Sequence, residues 1–422
     1  MIQSMHAISR YVVVVRLVRA YAPVLANLPL PLPASWPRLA RNPKAAYATL
    51  ANFKFNYEDS SYWTDGPYQV SRVDRAKRII VLQRMPYYDV EARPSISRIV
   101  YRYELPSPNA GRAVVAAVRH KKTDIGIDLD DHDVRVLESS AARSDLRLVP
   151  SFFTLMLEFN SSPDWGHPPI PNAVSDVRVR QALDLAVNRI ALIRATFGVN
   201  VATAHTLVAY TPFLDNGPYR EDGIRSVVRG VWDPIAKSFV RYGARSLRDA
   251  QLLLSQAGYE SGLTVGVFMG GSEADVVRQY AVLQKEWSSI GVRLERVSWK
   301  GGDVGQTIEN TGGFQVGVIA KSTGPDPDQF RGELVSEEPH YDYASVDDAN
   351  VTRDFTRGAA TFDPGARARW YDRLQLRIAR HAYVAPLSYY PFVVATDRHV
   401  PNLELTPDGS FPSGQSVWEY VP

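Results

Sequence analysis

Residues 263–298 read LTVGVFMGGSEADVVRQYAVLQKEWSSIGVRLERVS, and this stretch decides the fold. Residues 263–269 alternate as a strand does. Residues 273–290 carry a helical apolar period that stops at Gly291, and 292–298 alternate again. A strand, a helix and a second strand with connections this short make a parallel crossover unit, so this part of the chain is α/β. Gly270-Gly271-Ser272 reads as the strand-to-helix turn; anion cradling by free amides at the helix start is the competing use.

Upstream, residues 177–193 predict one helix, with Val179, Ala182, Leu183, Ala186, Ile190 and Ile193 on a core-facing stripe. Arg178, Asp184 and Asn188 fall off that stripe, and Asp176 stands where an N-cap accepts free amides. A further helix opens at Ser246, with Asp249 in an approximate capping box, and ends at Gly258 in a left-handed C′ position. Residues 314–320 predict a strand, 364–380 a last long helix, and 383–395 form an apolar run. Nearer the start, 11–18 predict a buried strand and 28–33 a proline-rich extended connector. Then come a hairpin over 68–74 and 78–84, a strand over 99–105, a helix over 110–119 and a strand over 123–129.

The composition is that of an ordinary globular chain: 422 residues, 45% hydrophobic and 22% charged, which excludes wholesale disorder. Such a length predicts two or three domains. Lys+Arg 48 against Asp+Glu 45 leaves a net charge of +3, too small for a nucleic-acid-binding face, so no nucleic-acid partner is expected. With no cysteine, thiol nucleophiles, thiolate metal sites and disulfides are excluded together. No stretch reaches the roughly 18–20 apolar residues of a membrane span. The valine run 12–15 is too short for a secretory signal and is cut by Arg16, so no signal peptide is visible in this chain.

Catalytic motifs are lacking. There is no GxGxxG, P-loop, GxSxG elbow or SxxK pair, and no two histidines share helical zinc spacing, so neither cofactor nor metal is expected. Asp128, Asp130, Asp131, His132 and Asp133 offer hard oxygen ligands. They lack the glycine and closing glutamate of a calcium loop and read as a solvated turn. Aromatic residues beside turn signals, Trp165 and Tyr210 among them, suit a ligand cleft, with packing as the competing use.

Five stretches in order carry a family resemblance: Asp65-Gly66-Pro67-Tyr68, Glu158-Phe159-Asn160, Asp176 through Leu183 continuing to Asn188-Arg189, Ala250 through Tyr259, and Gly324 through Phe330. Together they resemble the family 5 extracellular solute-binding proteins, the peptide- and nickel-type receptors of ABC importers. The resemblance implies an α/β, two-lobed periplasmic-binding-protein-like (type II) fold that closes by a hinge on a ligand held between the lobes. It implies an incomplete first lobe over 1–160, a second α/β lobe over 161–395, and a C-terminal return over 396–422. Family members carry a longer segment before the strand that residues 11–18 resemble, so the chain reads as N-terminally truncated. The implied function is substrate binding for a peptide-type importer, intact or degenerate, not catalysis. Its partners are a peptide or small-molecule ligand and a membrane ABC permease, and its location is extracytoplasmic.

Ligand contacts implied are Phe153, Glu158 and Asn160 on one strand, Lys321, Thr323 and Asp326 on the Asp-Pro loop, and Trp165 and Tyr210 by aromatic type. In peptide-binding members an aspartate just before that loop pairs with the ligand's α-amine. Thr323 stands in that place, with Gly324 the alternative if the gap is placed differently, leaving Asp326 as the carboxylate that could substitute. A non-transport ligand sensor and a hydrolase using Asp326 and Asp328 are the alternatives; the first normally adds a DNA-binding segment, which this sequence lacks.

Overall fold

The computed structural model describes residues 2–9, 12–27, 68–85, 96–102, 110–127, 129, 133–134, 145–165, 170–214, 224–297, 313–324, 326–335 and 344–396. The chain forms two compact units. The larger comprises Met1–Ala26 and Pro150–Phe392, the smaller Asn27–Val149 and Val393–Pro422. The sequence division at 160 and 395 falls near two of these crossings, while the first 26 residues group with the larger unit.

The first strands are β1 (Ile2–Ser9) and β2 (Val12–Leu17), an antiparallel pair of the larger unit. The strand predicted over 11–18 exists but is not buried: Val12 is 46% and Val18 67% exposed. A two-stranded ribbon has no second layer to cover it.

In the smaller unit, β3 (Tyr68–Asp74), β4 (Ile79–Arg84) and β5 (Arg98–Arg102) form an antiparallel meander, with the predicted hairpin turn passing through Arg78 at φ +54°. Helix α1 (Ala110–Arg119) matches its predicted span and packs over β6 (Ile125–Gly126), which is all that remains of the strand predicted over 123–129. A Cβ on Gly126 would lie 2.8 Å from Val114 Cγ1, so the helix needs glycine to approach this closely. Most of the acidic cluster at 128–133 lies outside the described residues; Asp133 is buried, close against Gly111 of α1.

Strand β7 (Asp145–Phe159) then passes into the larger unit. It is followed by β8 (Asp164–Trp165), β9 (Ile170–Pro171), α2 (Val177–Leu185), α3 (Arg189–Phe197), α4 (Val201–Leu207), β10 (Val231–Asp233), β11 (Ser238–Val240) and α5 (Ala244–Gln256). The crossover itself is β12 (Leu263–Met269), α6 (Glu273–Ser288) and β13 (Val292–Arg296), paired parallel from Leu263↔Val292 as predicted. Strand β14 (Val316–Ser322), helices α7 (Ala349–Ala360) and α8 (Pro364–His381), and β15 (Val384–Thr396) follow among the described residues.

Sheet order in the larger unit is β13-β12-β14-β7-β15, with β14 parallel to β12 and antiparallel to β7. Both faces are covered. Leu155 and Leu157 of β7 join a core with Leu183, Val265 and Trp287, whereas the intervening Met156 joins Phe330, Phe355 and Tyr371 on the other side.

The helix predicted over 177–193 is two helices. Asp176 caps α2 as expected, but Asn188 Oδ1 accepts the Ala191 amide and starts α3 afresh. Asp184, predicted to face away from the core, is buried against Arg189, Oδ1 to Nη2 at 2.6 Å. Ser246 is not the N-cap of α5. It is the third helical residue, and its hydroxyl accepts the amide of the capping Gly243. Ser272 caps α6 by accepting the Asp275 amide, which makes Gly270-Gly271-Ser272 the turn expected.

Candidate functional site

The sheet of the larger unit fixes where to look. In open α/β sheets, ligands gather beyond the carboxyl ends of the parallel strands. Strands β12 and β14 run parallel and end at Met269 and Ser322. Strand β7 runs antiparallel and brings Phe153 to that edge opposite Ser322, and Thr154 opposite Lys321. Phe153 is 53% exposed, an unusual state for a phenylalanine in a strand. Lys321 is partly buried and pairs with Glu333, Nζ to Oε2 at 3.4 Å.

The other expected contacts are taken up by the fold. Thr323 is buried, and its amide and hydroxyl both donate to the Phe152 carbonyl, at 2.7 and 2.9 Å. Gly324 follows at φ +61°, a turn that an L side chain disfavours. Asp326 is buried and accepts Arg367 Nη2 on both oxygens at 2.8 Å, and its Oδ1 also accepts the Asp328 amide at 2.9 Å. Both side chains of this ion pair are about 5% exposed, at 5% and 4%. Burial pushes the Asp328 carboxyl up; the Tyr21 hydroxyl pulls it down by hydrogen bonding, and the Asp326 charge adds to the rise.

Glu158, further along β7, and Asn160, just past its end, are fully buried. At about 3.3 Å per residue, Asn160 lies roughly 23 Å from Phe153, so the structure does not bring the two together. Asn160 Nδ2 donates to the Phe314 carbonyl at 3.0 Å, and its Oδ1 accepts the Ser162 amide. Trp165 packs on β12: a Cβ on Gly266 would fall 2.4 Å from Trp165 Cη2, so the glycine makes room for the indole. Tyr210 stands apart from all of these, in a cavity that includes Arg189, whose guanidinium lies 5.1 Å from the centre of its ring.

The longest motif, Asp176 through Leu183, turns out to hold helix ends. Arg180 is buried, and its three nitrogens donate to the carbonyls of Val174, Ser175, His381 and Ala382. Gln181 Nε2 donates to the Arg380 carbonyl at 2.7 Å. These contacts satisfy the free carbonyls at the C-terminus of α8, which must find donors when a helix end is buried. Burial depresses Arg180 to about 10, still far above neutrality.

A sequence profile of the bacterial extracellular solute-binding proteins, family 5 middle, matches residues 1–342. The chain belongs to this family. Solved structures agree on the fold at low identity. HbpA2 of Haemophilus parasuis superposes with a TM-score of 0.73 at 18% identity, over 97% of this chain and 74% of its own. NikA of Brucella suis, solved with Fe(III)-EDTA, gives 0.68 at 17%, over 100% and 79%. DppA of Helicobacter pylori, solved with the peptide STSA, gives 0.60 at 18%, over 99% and 73%. No curated protein matches at the sequence level. Family 5 proteins bind solutes outside the cytoplasm, and among the described residues no helix is long and apolar enough to cross a membrane.

Proposed function

We propose that this chain is the solute-binding component of a peptide-type ABC importer, delivering a peptide-like or other small solute to a membrane permease from the outer side of the membrane. The observation that carries this reading is the family match over residues 1–342. The supporting structures hold a peptide in one case and a metal chelate in another, so the solute class follows from this chain's own residues. Exposed Phe153, at the carboxyl edge of the parallel strands, is the contact we assign to the solute; Lys321 comes to the same edge on the opposite face of the sheet and is paired with Glu333. Thr323 carries no charge, and Asp326 is committed to Arg367, so the loop offers no spare carboxylate from this pair for a ligand α-amine. The preferred solute is therefore one not anchored by a free N-terminus at this loop.

A thermal-shift screen across peptides, N-acetylated peptides, sugars and metal chelates tests the proposal. A ligand that binds only the folded state raises its apparent stability, by about 2.7 kcal/mol at a hundred times Kd. At least one class should stabilise, with N-acetylated and free peptides behaving alike. Silence across the whole panel overturns the reading, and a strict requirement for a free amine overturns the solute class.

A further inference from the structure

A cavity of about 540 Å³ opens in the larger unit, walled by α3, α4, the segment before β10, and β15, with Pro150 of β7 also in its lining. Its volume falls within the roughly 300–1,000 Å³ of small-molecule sites. Its polar lining is one-sided. Arg189, Arg229, Arg241 and His205 contribute, and no Asp or Glu is among the described lining residues. The nearest acids serve other groups: Asp184 holds Arg189 from behind, and Glu286 accepts the Tyr242 hydroxyl.

Arg189 is the anchor. It is 5% exposed, and Nε donates to the Ala209 and Pro386 carbonyls, at 3.3 and 3.0 Å, while Nη2 holds Asp184. Nη1 has no acceptor among the described residues, so a buried, fixed guanidinium keeps one donor edge open in the cavity wall. Arg241, at the mouth, is exposed and forms no ion pair among the described residues. Tyr210, Tyr389 and buried Val228 and Leu214 supply an apolar and aromatic body to the same space.

We propose that this cavity is a binding site for a small organic carboxylate with an aromatic or aliphatic body, the carboxylate meeting Arg189 and Arg241 and the body lying against Tyr210 and Leu214. A guanidinium with Nη1 unused can donate to a carboxylate, and with Arg189 balanced by Asp184 the attracting charge comes from Arg241, which forms no ion pair among the described residues. The carboxylate belongs either to a free acid or to the C-terminus of a short peptide. The site uses side chains other than the one assigned to transported solute and does not depend on that assignment.

Isothermal titration of the full chain with 3-phenylpropionate, its uncharged amide and the dipeptide Ala-Phe tests the site. The acid should bind at least tenfold more tightly than the amide, and raised salt should weaken it. The Arg229→Ala/Arg241→Ala double variant should lose at least tenfold affinity while keeping its urea midpoint, and Arg241→Lys should recover part of the loss. Tighter binding of phenylpropionate identifies a free acid, and tighter binding of Ala-Phe identifies a peptide terminus. Equal affinity for acid and amide, unchanged affinity in the double variant, or no binding of either carboxylate overturns the proposal. A solute from the thermal-shift screen that still binds the double variant reports on the strand edge, so the two readings fail separately.

Discussion

The Asp-Pro loop and the arginine cavity, both in the larger unit, use charge in opposite ways. In the loop, Asp326 has both oxygens on Arg367, and Thr323 gives two hydrogen bonds to one carbonyl. These two side chains are already engaged, although the loop's sequence is the more distinctive of the two. In the cavity, Arg189 keeps Nη1 open and Arg241 stands exposed, although no motif marks either as a ligand contact. Distinctive residues in a tight loop are first of all the ones that make the loop possible. Binding capacity shows instead where polar groups are fixed and left unanswered.

The largest test of that contrast removes one partner of the loop's ion pair. Asp326→Ala should lower stability by about 3–5 kcal/mol, because Arg367 would be left buried without its counter-charge. Replacing both with apolar residues of similar volume should recover most of the loss. Urea denaturation reads both outcomes. A loss below 0.5 kcal/mol for the single change would mean that Asp326 is free for a ligand, and the contrast would collapse.

A smaller effect is expected at the Trp165 contact. Gly266→Ala places a methyl 2.4 Å from the indole and should cost about 1–3 kcal/mol by overpacking. If Trp165 were a mobile ligand contact it would swing away, and the urea midpoint would hold.

The smallest effect is a pH dependence. Asp348 is opposed by burial, but donors from Arg377, Tyr383 and the Asn350 amide outweigh it and hold the carboxyl at about 2, below its ordinary 3.8. Its contribution is present above the ordinary value and is lost as pH falls towards the folded one. Asp348→Asn should therefore flatten the stability profile between about pH 4 and 2 without altering its neutral-to-alkaline side. An unchanged acid limb would show that the pair formed with Arg377 carries no net stabilisation.

Much of the architecture was legible because local chemistry agreed with tertiary demand. The crossover at 263–298 has alternation, a serine cap and a terminal glycine that all point one way, and Gly291 takes φ +83° as a helix-ending glycine should. Where the reading slipped, one side chain changed the local outcome. Asn188 is apolar-neutral in a helical period but an acceptor for the Ala191 amide, so one predicted helix became two. Asp184 reads as a surface charge until Arg189, five residues on and in the next helix, turns back to meet it.

The site was less legible. Phe153 and Lys321 come to one edge of the sheet but on opposite faces, because Lys321 stands opposite Thr154 and not Phe153, and Glu158 and Asn160 lie well away along the chain, since a strand carries its residues apart at about 3.3 Å per step. Tyr210 was drawn from aromatic type alone, and Arg189 beside it stood in a family motif that did not mark it as a ligand contact.

The order of residues by itself determined the α/β class, the parallel crossover, the caps and the family, because these rest on periodicity and on groups within a few positions of each other. Tertiary structure alone decided which charges are spent and which remain open. Asp326 with Arg367 and Arg189 with Pro386 are joined across 41 and 197 positions. Whether a polar group is answered or left waiting depends on such distant neighbours, and no local pattern records them.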